Sequence, residues 1–138
     1  MDYLSAKEKA IKYIGISKKT EWEVNKKLKS LGVDSSIILR VITNLKELDY
    51  VNDEKYAKLY ISQSVNMQKY SKYEIKQKLL QKGINIDIIE KMICGFVPDE
   101  YEGKVVQRLL NGKLKNYEDI KKKEYLYRRG FEKTDIER

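Results

Sequence analysis

Two stretches of the chain say nearly the same thing. Thr20-Glu21-Trp22-Glu23-Val24 runs through Gly32 to Ile42, and Ser71-Lys72-Tyr73-Glu74-Ile75 runs through Gly83 to Ile93. The offset is about fifty residues, the spacing of a modular array. Each copy opens on a hydroxyl residue and places Glu three positions later. It then carries Lys27-Leu28 or Lys78-Leu79 near its middle, stops at a lone Gly, and resumes with Ile37-Ile38 or Ile88-Ile89. A fainter third copy sets Leu126, Gly130 and Ile136 where the second has Leu79, Gly83 and Ile89. A unit that cannot bury its own apolar face must stack on its neighbours, so the chain should fold as tandem repeats. The extended surface of such an array suits macromolecular binding better than it suits enclosing a reaction.

The local signals are helical. Ser5 with Glu8, Thr20 with Glu23 and Ser71 with Glu74 read as capping boxes, in which hydroxyl and carboxylate satisfy each other's end of the first turn. Val33 and Ile38 around Asp34, Val51 and Tyr56 around Asn52, and Ile84 and Ile89 around Asn85 have hydrophobic-staple spacing. After Asp34, the residues Ile37, Ile38, Val41, Ile42, Leu45 and Leu48 fall on one stripe at intervals of three and four. Gly32, Gly83 and Gly130 follow Lys- or Arg-rich turns and suit left-handed C-terminal caps rather than phosphate cradles. Pro98 marks a helix start, where a missing N–H costs nothing.

The expected fold is all-α: three tandem three-helix repeats in an elongated, curved array. The helices are expected at roughly 5–16, 20–31, 34–49, 52–66, 71–82, 85–95, 99–111, 116–129 and 134 to the end. The repeats would be residues 1–51, 52–97 and 98–138, the last with a short final helix.

Charged residues make up 36% of the chain and the formal net charge is +8, which points to a polyanionic or acidic partner. Catalysis is not expected: there is no His, no nucleophile motif and no Gly cluster to hold phosphate. No metal or cofactor is implied. Cys94 is the single cysteine, so no internal disulfide forms, and it reads as a small core residue beside Ile93 and Phe96 in a reducing compartment. Lys and Glu interrupt every apolar stretch, so neither a signal peptide nor a membrane span is expected, and the location should be cytoplasmic.

Asp49-Tyr50-Val51-Asn52-Asp53-Glu54-Lys55-Tyr56-Ala57 joins the first unit to the second. Its chemistry is that of a helix start: Asn52 caps, Asp53 and Glu54 favour the positive end, and Val51 packs on Tyr56. With the Gly-terminated helices on either side, this order resembles the RecX family, whose linker reads Tyr-Leu-Asp-Asp-Glu-Arg-Phe-Ala. Tyr50, Asp53, Glu54 and Ala57 match it outright, and Val51, Asn52, Lys55 and Tyr56 are conservative departures. Tyr70-Ser71 with Glu74, Ile75, Leu79 and Gly83 is similar to the family's entry to its middle helix, and Arg128-Arg129-Gly130-Phe131 to a motif of its last unit. Ser71, Glu74, Gly83 and Gly130 are structural in that pattern.

The resemblance implies a regulatory protein without catalysis of its own. It would bind the RecA recombinase, chiefly as its filament on DNA, and restrain filament growth, ATP hydrolysis and strand exchange. A monomer is expected, with weak, sequence-independent affinity for single-stranded or duplex DNA. The candidate contacts to filament carboxylates or DNA phosphates are cations of the middle helices: Lys26, Lys29, Lys72, Lys76, Lys78, Lys82, Lys121, Lys122, Lys123, Arg128 and Arg129. Any one of these is also explained as the solvated face of an amphipathic helix. Trp22 and Tyr73 hold the same place in two units and read as packing, with Tyr125 and Tyr127 the pair to test for stacking. The alternative is an autonomous DNA-binding helical protein, since three-helix units resemble helix-turn-helix modules. The helix after Asp34 offers only Arg40 and Asn44 as base readers and is a core helix by composition.

Overall fold

The computed structural model describes residues 1–138, the side chain of Ile16 excepted. The chain folds into helices α1 (Tyr3–Ile16), α2 (Glu21–Ser30), α3 (Ser35–Glu47), α4 (Asp53–Met67), α5 (Lys72–Gln81), α6 (Ile86–Phe96), α7 (Tyr101–Asn111), α8 (Asp119–Arg128) and α9 (Lys133–Ile136). Among the described residues there is no strand, and no helix is long and apolar enough to cross a membrane. Packing groups the helices in threes in chain order, α1 to α3, α4 to α6 and α7 to α9.

Local chemistry explains most of the boundaries. Thr20 and Ser71 each accept from the N–H of the Glu three residues on, whose carboxylate returns to the cap's own N–H, so both capping boxes close. Asn52 accepts from Lys55 N–H and Asn85 from Asp87 N–H. The expected box at Ser5 does not form. Asp2 caps α1 instead and accepts from Ser5 N–H, which starts the helix earlier and puts Ser5 inside it. Asp34 stands at the N-cap of α3 without a side-chain bond. The turn after Pro98 delays α7 to Tyr101, whose N–H reaches the Pro98 carbonyl.

Each middle helix ends in the same way. Gly32, Gly83 and Gly130 take φ of 79°, 77° and 83°. The N–H groups of Val33, Ile84 and Phe131 then reach back to the carbonyls of Leu28, Leu79 and Leu126. This is the Schellman pattern, with its apolar contact made here by buried pairs.

The first triad has its own core, built from Ala6, Ala10, Val24, Leu28, Ile38, Val41, Leu45 and Val51. The second and third share one continuous cluster, running from Ala57 and Ile61 through Leu79 and Ile89 to Val105, Leu126 and Ile136. Leu48 lies outside the α3 stripe, exposed at the C-cap. Cys94 is exposed, contrary to the core place expected for it. On α6 the buried side is set by Ile89 and Met92, and two residues past Met92 the helix has turned about 200° away.

The triads are joined by one set of contacts used twice. At the first joint, Thr20 Oγ1 donates to the Lys82 carbonyl (2.7 Å), Trp22 lies on Gly83, and Glu23 pairs with Lys82 (3.5 Å). Asp53 completes it by accepting from Glu21 N–H (3.0 Å). At the second, Ser71 Oγ donates to the Arg129 carbonyl (2.6 Å), Tyr73 lies on Gly130, and Glu74 pairs with Arg129 (2.8 Å). There Glu102 accepts from Lys72 N–H (2.7 Å). The capping hydroxyl thus has two tasks, one inside its helix and one across the joint.

Candidate macromolecule-binding face

On α2, α5 and α8 the register-equivalent positions carry large, partly exposed apolar side chains. Trp22, Tyr73 and Ile120 are 46%, 54% and 66% exposed. Around the first two lie shallow surface grooves. One, of about 280 Å³, is lined by Tyr13, Trp22, Glu23, Lys26, Lys27 and Ser30. The other, of about 340 Å³, is lined by Tyr70, Tyr73, Glu74, Gln77, Lys78, Gln81, Arg128 and Arg129. Their α2 and α5 lining positions coincide under the repeat: Trp22 with Tyr73, Glu23 with Glu74, Lys26 with Gln77, Lys27 with Lys78, Ser30 with Gln81.

The cations named from the sequence divide by what they touch. Lys82 and Arg129 are joint residues, and Arg129 also donates to the Lys69 carbonyl and to Tyr125. Lys72 reaches Glu132 (3.4 Å) across the second joint. Lys76 meets Glu90 (3.6 Å) and Lys123 meets Glu137 (2.8 Å), one brace at equivalent positions of two triads. Its bond to Glu137 raises the pKa of Lys123. Lys122 lies 3.9 Å from Asp119 within α8. Among the described residues no carboxylate comes within 4.0 Å of Lys26, Lys29, Lys78, Lys121 or Arg128. Exposed pairs of this kind are worth under about 1 kcal/mol, so the paired lysines stay exchangeable, but the free set carries its charge outward at no cost.

Lys27 belongs with that free set and was not among the cations chosen from the sequence. Its alignment with Lys78 was the available signal. The joint acids Asp53 and Glu102 had no comparable signal, because their partners across the joints, Glu21 and Lys72, are met only as backbone N–H groups of another triad.

The aromatic rings are less open than their exposure suggests. Lys26 lies 4.9 Å from the Trp22 ring centre, while Gly83 packs beneath the ring's root. Tyr13 carries Lys19 (5.0 Å) and Lys27 (5.6 Å). Tyr125 is half-buried between Lys113 and Arg129. Burial works against ionisation of its phenol, but hydrogen bonds from those two cations outweigh it and bring the pKa below the usual tyrosine range. Tyr127 is exposed and donates to Glu137 (2.7 Å). Neither base reader considered on α3 stands open: Arg40 stacks on Tyr3 at 4.5 Å, and the Asn44 Oδ1 is buried, without a partner.

Acidic groups gather at the second joint. Carboxylate oxygens of Glu102, Glu132 and Asp135 lie within 4.8 Å of one another. Both Glu102 oxygens accept from backbone N–H groups, those of Lys72 (2.7 Å) and Glu132 (3.1 Å), and Asp135 pairs with Arg138 (3.7 Å). That cluster fastens helices. A hollow of about 570 Å³ beside Asp99, Lys104 and Arg138 is open and of mixed charge.

Residues 6–45 match the first three-helix domain of RecX, and residues 52–93 match the second. The chain is 34% identical over 142 residues to the regulatory protein RecX of Caldanaerobacter subterraneus subsp. tengcongensis, covering 100% of this chain and 72% of that protein. It is 33% identical to the regulatory protein RecX of Clostridium acetobutylicum, covering 98% of this chain and 67% of that one. With the Streptococcus agalactiae regulatory protein RecX it shares 40% identity over 97 residues, which span only 38% of that protein. The crystal structure of RecX from Lactobacillus salivarius superposes with a TM-score of 0.85 at 27% identity, over 99% of this chain and 92% of that one.

Proposed function

This chain belongs to the RecX family, and from that premise we propose that it binds the RecA recombinase as its filament on DNA and restrains filament growth, ATP hydrolysis and strand exchange. It does so in the cytoplasm, as a monomer, and without chemistry of its own. The observation that carries this reading is the recurrence of one aromatic-and-cation face on α2 and again on α5. A filament repeats its subunit surface along its length, and a rigid array that repeats its contact face is suited to such a partner. The contacting cations are Lys26, Lys27, Lys29, Lys78, Lys121 and Arg128, while Lys72, Lys76, Lys82, Lys122, Lys123 and Arg129 hold helices and joints and contribute to the field.

A second reading, DNA binding by the chain alone, is favoured by the net charge of +8. Phosphate neutralisation makes such binding fall steeply with salt, roughly in proportion to the number of contacts. Co-sedimentation with recombinase filaments, and with bare single-stranded and duplex DNA, at low and high salt separates the two. Filament binding is expected to persist where binding to bare DNA is lost. In parallel, protein added below the recombinase concentration is expected to slow ATP hydrolysis by preformed filaments. Turnover that stays constant up to equimolar protein removes the proposal.

A further inference from the structure

Resting on the reading that the partner is a protein polymer, we propose that the α2 and α5 grooves are two copies of one docking site. Each takes a carboxylate side chain flanked by an apolar one, supplied by successive subunits of that polymer. The joints are closed by the same bonds, hydroxyl to carbonyl, aromatic on glycine and carboxylate on cation, so the α2 and α5 walls of the two grooves repeat, while the facing walls differ, Tyr13 at the first and Tyr70, Arg128 and Arg129 at the second. In both grooves the resident carboxylate is already engaged, Glu23 by Lys82 and Glu74 by Arg129. Lys27 and Lys78 therefore project unneutralised charge beside an aromatic edge. A nucleotide would find cations for its phosphate at α2, but its base would have to displace Lys26, 4.9 Å from the centre of a Trp22 ring whose root is already seated on Gly83. A carboxylate next to an apolar side chain is satisfied at both ends.

Two equal sites at a fixed separation bind a repeating partner with an avidity that a single subunit cannot give. The test uses Lys27→Glu, Lys78→Glu and the double variant, with Lys27→Arg and Lys78→Arg as controls and unchanged circular dichroism and melting required of all. Affinity is read by co-sedimentation with filaments on DNA and by anisotropy with recombinase kept unpolymerised. Each single reversal is expected to lower filament affinity about a hundredfold, and the double no more than about tenfold further. Affinity for the lone subunit should fall only about twofold in each single variant, since one of two equal sites remains. A double-variant loss equal to the product of the singles, or equal losses on polymer and subunit, overturns the inference. So does quenching of Trp22, the only tryptophan, by an oligothymidylate at filament-like affinity, a result that leaves the regulatory reading intact. Failure of the parent protein to sediment with filaments, read in the same series, strikes that underlying reading as well.

Discussion

Asp53 and Glu102 do the same work at the two joints but meet different numbers of donors. One Asp53 oxygen accepts from Glu21 N–H, whereas both oxygens of Glu102, 1% exposed, accept from backbone N–H groups. Burial is the main influence on each and pushes both pKa values above the ordinary carboxylate range, against the pull of those N–H bonds. A carboxyl whose folded pKa is raised adds stability that is complete below its unfolded value, near about 4, and fades as pH climbs through the folded value. Asp49 and Glu137, held low by bonds from Lys55 and Lys123, run the other way, so variants must be compared with the parent at each pH. Asp53→Asn keeps the single acceptor and removes the titration. Its melting temperature at neutral pH should equal or exceed the parent's, and the difference should shrink as pH falls towards about 4. Glu102→Gln instead turns an amide N–H₂ toward a backbone donor and should cost about 1–3 kcal/mol. Thermal denaturation across that range checks both, and a Glu102→Gln variant as stable as the parent would mean that the second acceptor is dispensable.

At the scale of the helix, the glycine ends and hydroxyl starts were readable, because capping and left-handed termination are local events written within a few residues. Thr20, Ser71, Gly32, Gly83 and Gly130 all stand where their local chemistry put them. Ser5 misled because Asp2, three residues earlier, caps the helix and leaves Ser5 inside its first turn, and Cys94 because the buried side of α6 depends on which helix lies against it. The joints were not readable at all: the Thr20 hydroxyl bonds a carbonyl 62 residues away, and no local pattern encodes that. For the same reason the division of the cations of α2, α5 and α8 between outward charge and internal bracing was not legible. The glycines measure the joint directly. Alanine at Gly32 meets nothing within 4 Å and should cost only the left-handed backbone, about 1–2 kcal/mol. At Gly83 the new Cβ would lie 2.3 Å from Trp22 Cβ, and at Gly130 2.7 Å from Tyr73 Cβ, so the triads must part or shift. Denaturant melts should place Gly83→Ala and Gly130→Ala clearly below Gly32→Ala, and three equal losses would show that the joints yield freely.

The whole molecule is built from unequal joints. The second has a buried core running through it, the bond from Lys72 N–H to a buried Glu102, and an Arg129 fork on Glu74 at 2.8–3.2 Å. It also has the Tyr101 hydroxyl donating to the Tyr70 carbonyl at 2.7 Å. Burial lifts that phenol's pKa to about 12, so it stays a donor over the working range. The first joint unites two separate cores through the Thr20, Asp53 and Lys82 contacts and the Trp22–Gly83 seat. In a linear array, stability is close to the sum of the units and their nearest-neighbour interfaces, so the weaker interface sets where the array first opens. The first triad should therefore open as a body while the other two remain folded, a subglobal event below the free energy of full unfolding. Native-state hydrogen exchange checks this. Amides of Val24, Leu28 and Leu45 should share one opening free energy, lower than that of Ile61, Leu79 and Ile89. Severing the Thr20 hydroxyl with Thr20→Val should lower the first value and leave the second in place. Exchange through a single common free energy would mean that the three triads behave as one cooperative unit, and that the separation between the two grooves is held as stiffly as either groove itself.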